Sequence, residues 1–233
     1  IVLNRGQVFN AMGFVQGSGS NNALGLDLSG TTVRTNCDKK IAVFAGNGRC
    51  LVTTPSLCTA PTSGSDNLVQ QMIPQVAWGT KYLTVPTKTM EHNLFRIYKQ
   101  DPAATVALTI NGAAQTITPA ELYKVIESNA PMVITSDKPI SVTQFIIAGQ
   151  CASGSGANAN GNNGFGDPEM IILSAAQQAI NNVSVYSPNF KNAPSASGSY
   201  LNVVIKTGCI SSFKLDLATN PTQMVDTGAS SFT

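Results

Sequence analysis

Apolar and polar positions alternate with a period of two along much of the chain, the signature of half-buried β-strands. Val106, Leu108 and Ile110 alternate with Ala107 and Thr109, Leu201, Val203 and Ile205 with Asn202, Val204 and Lys206, and Phe213, Leu215 and Leu217 with Lys214 and Asp216. Further strand-like runs are Gln7–Phe14, Leu24–Leu28, Thr31–Thr35, Lys40–Ala45, Lys81–Val85, Asn93–Lys99, Met132–Thr135, Ile140–Ile147 and Val183–Tyr186. Turn formers separate them, among them Gly17-Ser18-Gly19, Asn111-Gly112, Asp137-Lys138-Pro139 and Ser195-Ala196-Ser197-Gly198. Helical periodicity is nearly missing, and a short turn near Pro119–Leu122 is its best instance. The pattern predicts an all-β protein of sandwich or barrel type.

The strands recur in a second order of regularity. Ile41 and Ile140 are 99 residues apart, Cys50 and Cys151 are 101 apart, Asp66 and Asp167 are 101 apart, and Pro86 and Pro188 are 102 apart. Leu94–Lys99 aligns with Leu201–Lys206 at a spacing of 107. A near-constant offset across several landmarks reads as a tandem duplication over residues 23–113 and 121–217. Each half is expected to be β-sandwich-like, the domains being residues 1–116, with the N-terminal strand, and residues 117–233. The link near Ala113–Glu121 is too short to hold the halves apart, so they are expected to pack together.

Composition narrows the partners. Only 11% of the residues are charged, with a net charge of +2, far from the concentrated positive charge that a nucleic-acid binder needs. Polar uncharged residues must then solubilise the surface, as in many secreted and cell-surface β proteins. No apolar stretch approaches the roughly 20 residues of a membrane span. The chain begins at Ile1 without a leader pattern, which reads as a processed product or an excerpt.

Five cysteines (Cys37, Cys50, Cys58, Cys151 and Cys209) include no Cys-x-x-Cys pair, so zinc-ribbon and thioredoxin readings fail on spacing. In an oxidising compartment Cys50 and Cys58 could close a short loop; otherwise they are small buried hydrophobes. His92 is the only histidine, so a histidine-dependent nucleophilic site would have to use it. Its place in Met-Glu-His-Asn reads as a loop imidazole instead.

Four blocks in order resemble a known family. Leu3-Asn4-Arg5-Gly6-Gln7-Val8-Phe9 is similar to its opening strand, and Gly30-Thr31-Thr32-Val33 with Lys40-Ile41-Ala42-Val43-Phe44-Ala45-Gly46 to its next block. Gln70-Gln71-Met72-Ile73-Pro74 leading to Trp78-Gly79 resembles a third, and Gly166-Asp167-Pro168-Glu169-Met170 a fourth. Together they resemble the IgGFc-binding protein N-terminal domain family, which includes bacterial surface and adhesin-like members. Lys40 stands where the family has proline, and Cys37 is extra. The resemblance implies an extracellular, non-enzymatic role in adhesion or protein binding. It also implies a Cys151–Cys209 bridge beside Cys50–Cys58, leaving Cys37 as the odd thiol.

Three candidate sites remain. The Asn/Gly-rich stretch before Gly166 offers Asn162, Asn163 and Asp167 as oxygen donors for calcium, against the plainer reading of a surface loop; no other cofactor is expected. Trp78 and Tyr82 could share a strand face as a ligand-binding platform for a glycan, or pack in the core. Asn182-Val183-Ser184 is a glycosylation sequon. The function expected is a cell-surface adhesion or ligand-binding module without catalytic activity, its partner a protein or glycan on a cell or mucus surface. The alternative is a self-associating building block of a surface layer, stalk or filament. A carboxylate-dependent glycan hydrolase comes third.

Overall fold

A computed structural model describes residues 1–16, 24–36, 39–53, 65–87, 93–148, 168–185 and 201–213. The chain divides into two compact units, Ile1–Ile41 and Ala42–Thr233. Among the described residues no helix is long and apolar enough to cross a membrane.

The first unit holds one small antiparallel ladder, β1 (Val15–Gln16) with β2 (Leu24–Gly25). The Leu26 N–H extends it to the Phe14 carbonyl at 2.8 Å. Hydrogen-bonded turns at Asn4–Gln7 and Leu28–Thr31 shape the rest. Among the described residues of this unit, the apolar runs 7–13 and 31–35 form no ladder, and Val8, Phe9, Met12 and Val33 are exposed. Alternation makes a residue run suited to a sheet, but the strand exists only where a neighbouring backbone takes its hydrogen bonds.

The second unit contains β3 (Phe44–Cys50), β4 (Asp66–Gln71), β5 (Gly79–Thr84), β6 (Asn93–Lys99), β7 (Val106–Ile110), β8 (Ala113–Ile117), β9 (Tyr123–Ser128), β10 (Met132–Ile146) and β11 (Glu169–Ile172). The fold is all-β: β3 and β4 form a two-stranded sheet, and the other seven strands share one sheet built on β10. The β7–β8 hairpin turns on Asn111 (φ 49°) and Gly112 (φ 81°). Two successive positive φ values match the right-handed strand twist and suit this Asn-Gly pair. The Asn111 side chain reinforces the turn by accepting the Val133 N–H at 2.8 Å.

The segment Asp137-Lys138-Pro139, expected as a turn between two strands, instead bends a single strand. Met132–Thr135 pairs with β5 on one side and Ile134–Ser136 with β7 on the other. After a register shift, Ile140–Phe145 pairs with β6 and Thr143–Ile146 with β11. Asp137 accepts the Ala107 N–H at 2.8 Å, and the Lys138 ammonium donates to the Thr105 carbonyl at 2.5 Å. The polar residues thus fasten the bend to β7, and Pro139, lacking an N–H, sits where the ladder is interrupted.

By bending, β10 serves two layers that enclose one core. Tyr82 from β5, Val106 and Leu108 from β7 and Ile117 from β8 meet Phe95 and Ile97 from β6, with Ile134, Ile140 and Val142 of β10 between them. Strands from both sides of residue 116 therefore share this sheet and its core. A second cluster joins Val52 and Leu68 to Leu94, Phe145, Ile147 and Ala148. Near Pro119–Leu122 the chain makes a turn closed by the Glu121 N–H on the Thr118 carbonyl. The Glu121 carboxylate accepts the Thr118 N–H and hydroxyl in return, and these bonds lower its pKa.

Candidate ligand-binding face

Strand alternation splits β6 into two sets. Phe95, Ile97 and Lys99 point into the main core, while Leu94, Arg96 and Tyr98 line the opposite face. β9 runs antiparallel beside it, setting Tyr98 opposite Tyr123, Arg96 opposite Val125 and Leu94 opposite Glu127. The two tyrosine rings lie 5.3 Å apart, tilted by 60°. The Arg96 guanidinium sits 4.6 Å above the Tyr123 ring and 5.4 Å from that of Phe145. Such tilted aromatic pairs and cation–π contacts are each worth about 0.5–1.5 kcal/mol beyond area burial.

The second hydrophobic cluster closes the Leu94 end of this face. Towards Tyr98 the face is open: Arg96, Tyr98 and Tyr123 are half-buried and Val125 is exposed. The result is a preordered patch of two tyrosines and an arginine around an aliphatic side chain. Those residue types dominate the energetic centres of protein interfaces, because they present large area at little entropic cost.

Next to this face, the Cys50 thiol is pushed up from its ordinary value chiefly by burial. The Arg96 charge pulls the other way, and the Asp66 carboxylate, opposite Cys50 in the β3–β4 ladder, adds to the rise. Cys209 is exposed, and both carry free thiols. Iodoacetamide at pH 8 is therefore expected to label Cys209 well before Cys50 in the folded protein. Raising the pH through 9 should speed labelling at Cys50, as more thiolate forms. Mass spectrometry of peptides from a labelling time course reads both rates, and equal rates at pH 8 would contradict the assignment. A raised thiol pKa also favours the folded state at neutral pH, a contribution lost as the pH rises above 9.

The residues singled out by sequence are dispersed. Trp78 is half-buried after the 3₁₀ turn Gln75–Ala77, its indole N–H on the Ile73 carbonyl at 3.2 Å. Tyr82 is enclosed in the main core, its hydroxyl donating to the Ile140 carbonyl at 2.6 Å and accepting the Gly79 N–H. The structure thus brings no shared open face to Trp78 and Tyr82. Gly79 allows the Ala176–Gln178 turn to pack here, since a Cβ would collide with Ala175 and Gln177. Asn182 of the sequon is exposed. His92, Cys37, Cys58, Cys151, Asn162, Asn163 and Asp167 lie outside the described residues, and with them the calcium set; with Cys50 and Cys209 free, the expected Cys50–Cys58 and Cys151–Cys209 bridges are not formed.

β4 and β11 wall a shallow groove of about 270 Å³ that brings Asp66 and Glu169 to one opening with Leu68 and Met170. Among the described residues, no group of three or more His, Cys, Asp or Glu side chains is placed to hold a metal ion. Arg96, Tyr98 and Tyr123 were not legible as a site. Alternation within Leu94–Tyr98 puts the first two on one face, but the third arrives only through the β6–β9 register.

A family model described as IgGFc binding protein matches residues 1–233, the whole chain. No curated protein and no solved structure matches it.

Proposed function

Because the chain belongs to the IgGFc binding protein family, we propose that it is an extracellular, non-catalytic protein-binding module whose contact face is the open part of β6 and β9. The observation that carries this reading is the Arg96–Tyr123–Tyr98 cluster, ordered by cross-strand stacking before any partner arrives. A preordered aromatic face loses little side-chain entropy on binding, so more of the buried area appears as affinity. The family's description makes an immunoglobulin Fc fragment the first protein to offer it.

Surface plasmon resonance with Fc, with and without its glycan, tests the proposal. The wild type is expected to bind both forms alike, as protein rather than glycan recognition requires. Tyr98→Ala and Tyr123→Ala are each expected to weaken binding about tenfold or more, as truncation of an interface anchor does. Far-UV circular dichroism should stay unchanged. Loss of binding on glycan removal would turn the reading to glycan recognition. Unaltered affinity in both variants would remove β6 and β9 from the interface, and a wild type that ignores Fc would exclude it as the ligand.

A further inference from the structure

Several backbone hydrogen bonds recur at the spacing of about 100 residues that the sequence reads as a duplication. The Met72 N–H donates to the Val43 carbonyl at 2.8 Å, and the Leu173 N–H to the Val142 carbonyl at 2.9 Å. The 3₁₀ turn Gln75–Ala77 follows the extended residue Pro74, and Ala176–Gln178 follows the extended residue Ala175. In the first, Ala77 and Trp78 donate to Pro74 and Gln75; in the second, Gln178 and Ala179 donate to Ala175 and Ala176. The pairing of Phe44 with Gln71 likewise has its counterpart in Thr143 with Ile172. β3–β4 and β10–β11 are thus built alike, and the equivalent strands β4 and β11 form opposite walls of one groove.

The two pairs differ at one edge. β10 carries β6 on its far side, with Val142 opposite Ile97 and Thr143 opposite Arg96. Among the described residues β3 pairs with β4 alone, and Phe44 is 65% exposed. The sequence counterpart of β6 is Leu201–Lys206, which has a strand's alternation but pairs with no strand among the described residues, with Val203 48% exposed. The amide directions also agree. Val142 spends its carbonyl on Leu173, just past β11, so Thr143 faces β6; Val43 spends its carbonyl on Met72, just past β4, so Phe44 faces the open edge.

We propose that Leu201–Lys206 is a closing strand that docks antiparallel on the open edge of β3 in the same chain, with Val43 opposite Val204 and Phe44 hydrogen-bonded to Val203. The template is the β10–β6 pairing already formed in this molecule, and the occupant is this chain because β4 and β11 meet within it. Docking satisfies a row of exposed backbone groups that would otherwise invite foreign strands. It also gives the repeat of the ligand-binding face Val203 and Ile205 where the first has Arg96 and Tyr98.

Nuclear magnetic resonance on the full chain tests the pairing. Val43 and Val204 form a close, non-hydrogen-bonded antiparallel pair in this register, so their Hα protons are expected to show a direct Overhauser effect. The Phe44 and Val203 amides should exchange about tenfold or more slowly than in an unpaired strand. Val203→Pro removes the N–H that bonds Phe44; it should abolish the Val43–Val204 signal and leave the Val142–Ile97 signal in place. An isotope-filtered experiment on mixed labelled and unlabelled protein should show no Val43–Val204 transfer between copies. Absence of the signal in the wild type, or its appearance solely between copies, would overturn the proposal.

Discussion

Phe95→Ala is expected to lower the unfolding free energy by about 3–5 kcal/mol, the range of large-to-small changes at closed core sites. Phe95 is 0% exposed in the middle of β6, between Gln144 of β10 and Ile126 of β9. Its ring fills the core shared by both layers, so neither can settle inwards without breaking its own ladder. The loss therefore combines the transfer term of the ring with the cavity it leaves. Urea unfolding followed by circular dichroism measures it, with Val76→Ala, at an exposed position of the Gln75–Ala77 turn, as the reference. That reference should stay within about 0.5 kcal/mol of wild type. A Phe95→Ala cost below about 1 kcal/mol would mean that the site collapses freely and the layers are not held by their ladders.

Lys99→Ala is expected to cost about 2–3 kcal/mol, although a surface lysine normally costs almost nothing. Lys99 ends β6 on its inward face and is 5% exposed. Its ammonium donates to the Ala104 carbonyl at 3.1 Å and to the Thr118 carbonyl at 2.8 Å. One cation thus ties the Asp101–Ala104 turn to the segment that leads into β9. Hydrogen bonds from a charged donor are worth about 1.5–3 kcal/mol, and removing the donor leaves two carbonyls in place of one loss. Lys99→Met keeps the aliphatic stem and should recover part of the loss, separating packing from hydrogen bonding. Thermal unfolding of the three proteins reads the order wild type, Met, Ala; equal melting temperatures would show that the ammonium bonds carry no stability.

Phe95 and Lys99 mark the divide between what local sequence encodes and what strand register decides. The alternation of Val106, Leu108 and Ile110 and the Asn111-Gly112 pair predict β7 and the turn that ends it, and the structure forms the turn with positive φ angles; residues 113–117, read as part of a link, instead return as β8 beside β7. The run Leu94–Tyr98 reads as a strand, and period two assigns Phe95 and Ile97 to one side of it. It says nothing about which side is the core, nor that Lys99 would share the buried one. Asp137-Lys138-Pro139 reads as a turn because its residues favour turns locally. Partners on both sides, β5 and β7 before it and β6 and β11 after it, hold it instead as a bend in one long strand.

The candidate face divides in the same way. Trp78 and Tyr82 are conspicuous because aromatic residues are few, at 6% of the chain, yet the Tyr82 hydroxyl finds the Ile140 carbonyl 58 residues away and the ring goes inside. Arg96 and Tyr98 look ordinary within an apolar run, and their meaning comes from Tyr123 across the β6–β9 register.

By itself, the sequence determined the all-β class, the Asn111-Gly112 turn, the positions of β5, β6, β7 and both arms of β10, and the family, since each rests on local periodicity, turn chemistry or ordered motifs. Tertiary structure decided the neighbours of β10, the side of each strand that is buried and the residues that form the open face. Those depend on register between segments distant in the chain, where the free energy lies in cross-strand hydrogen bonds and shared burial rather than in any one segment's propensity.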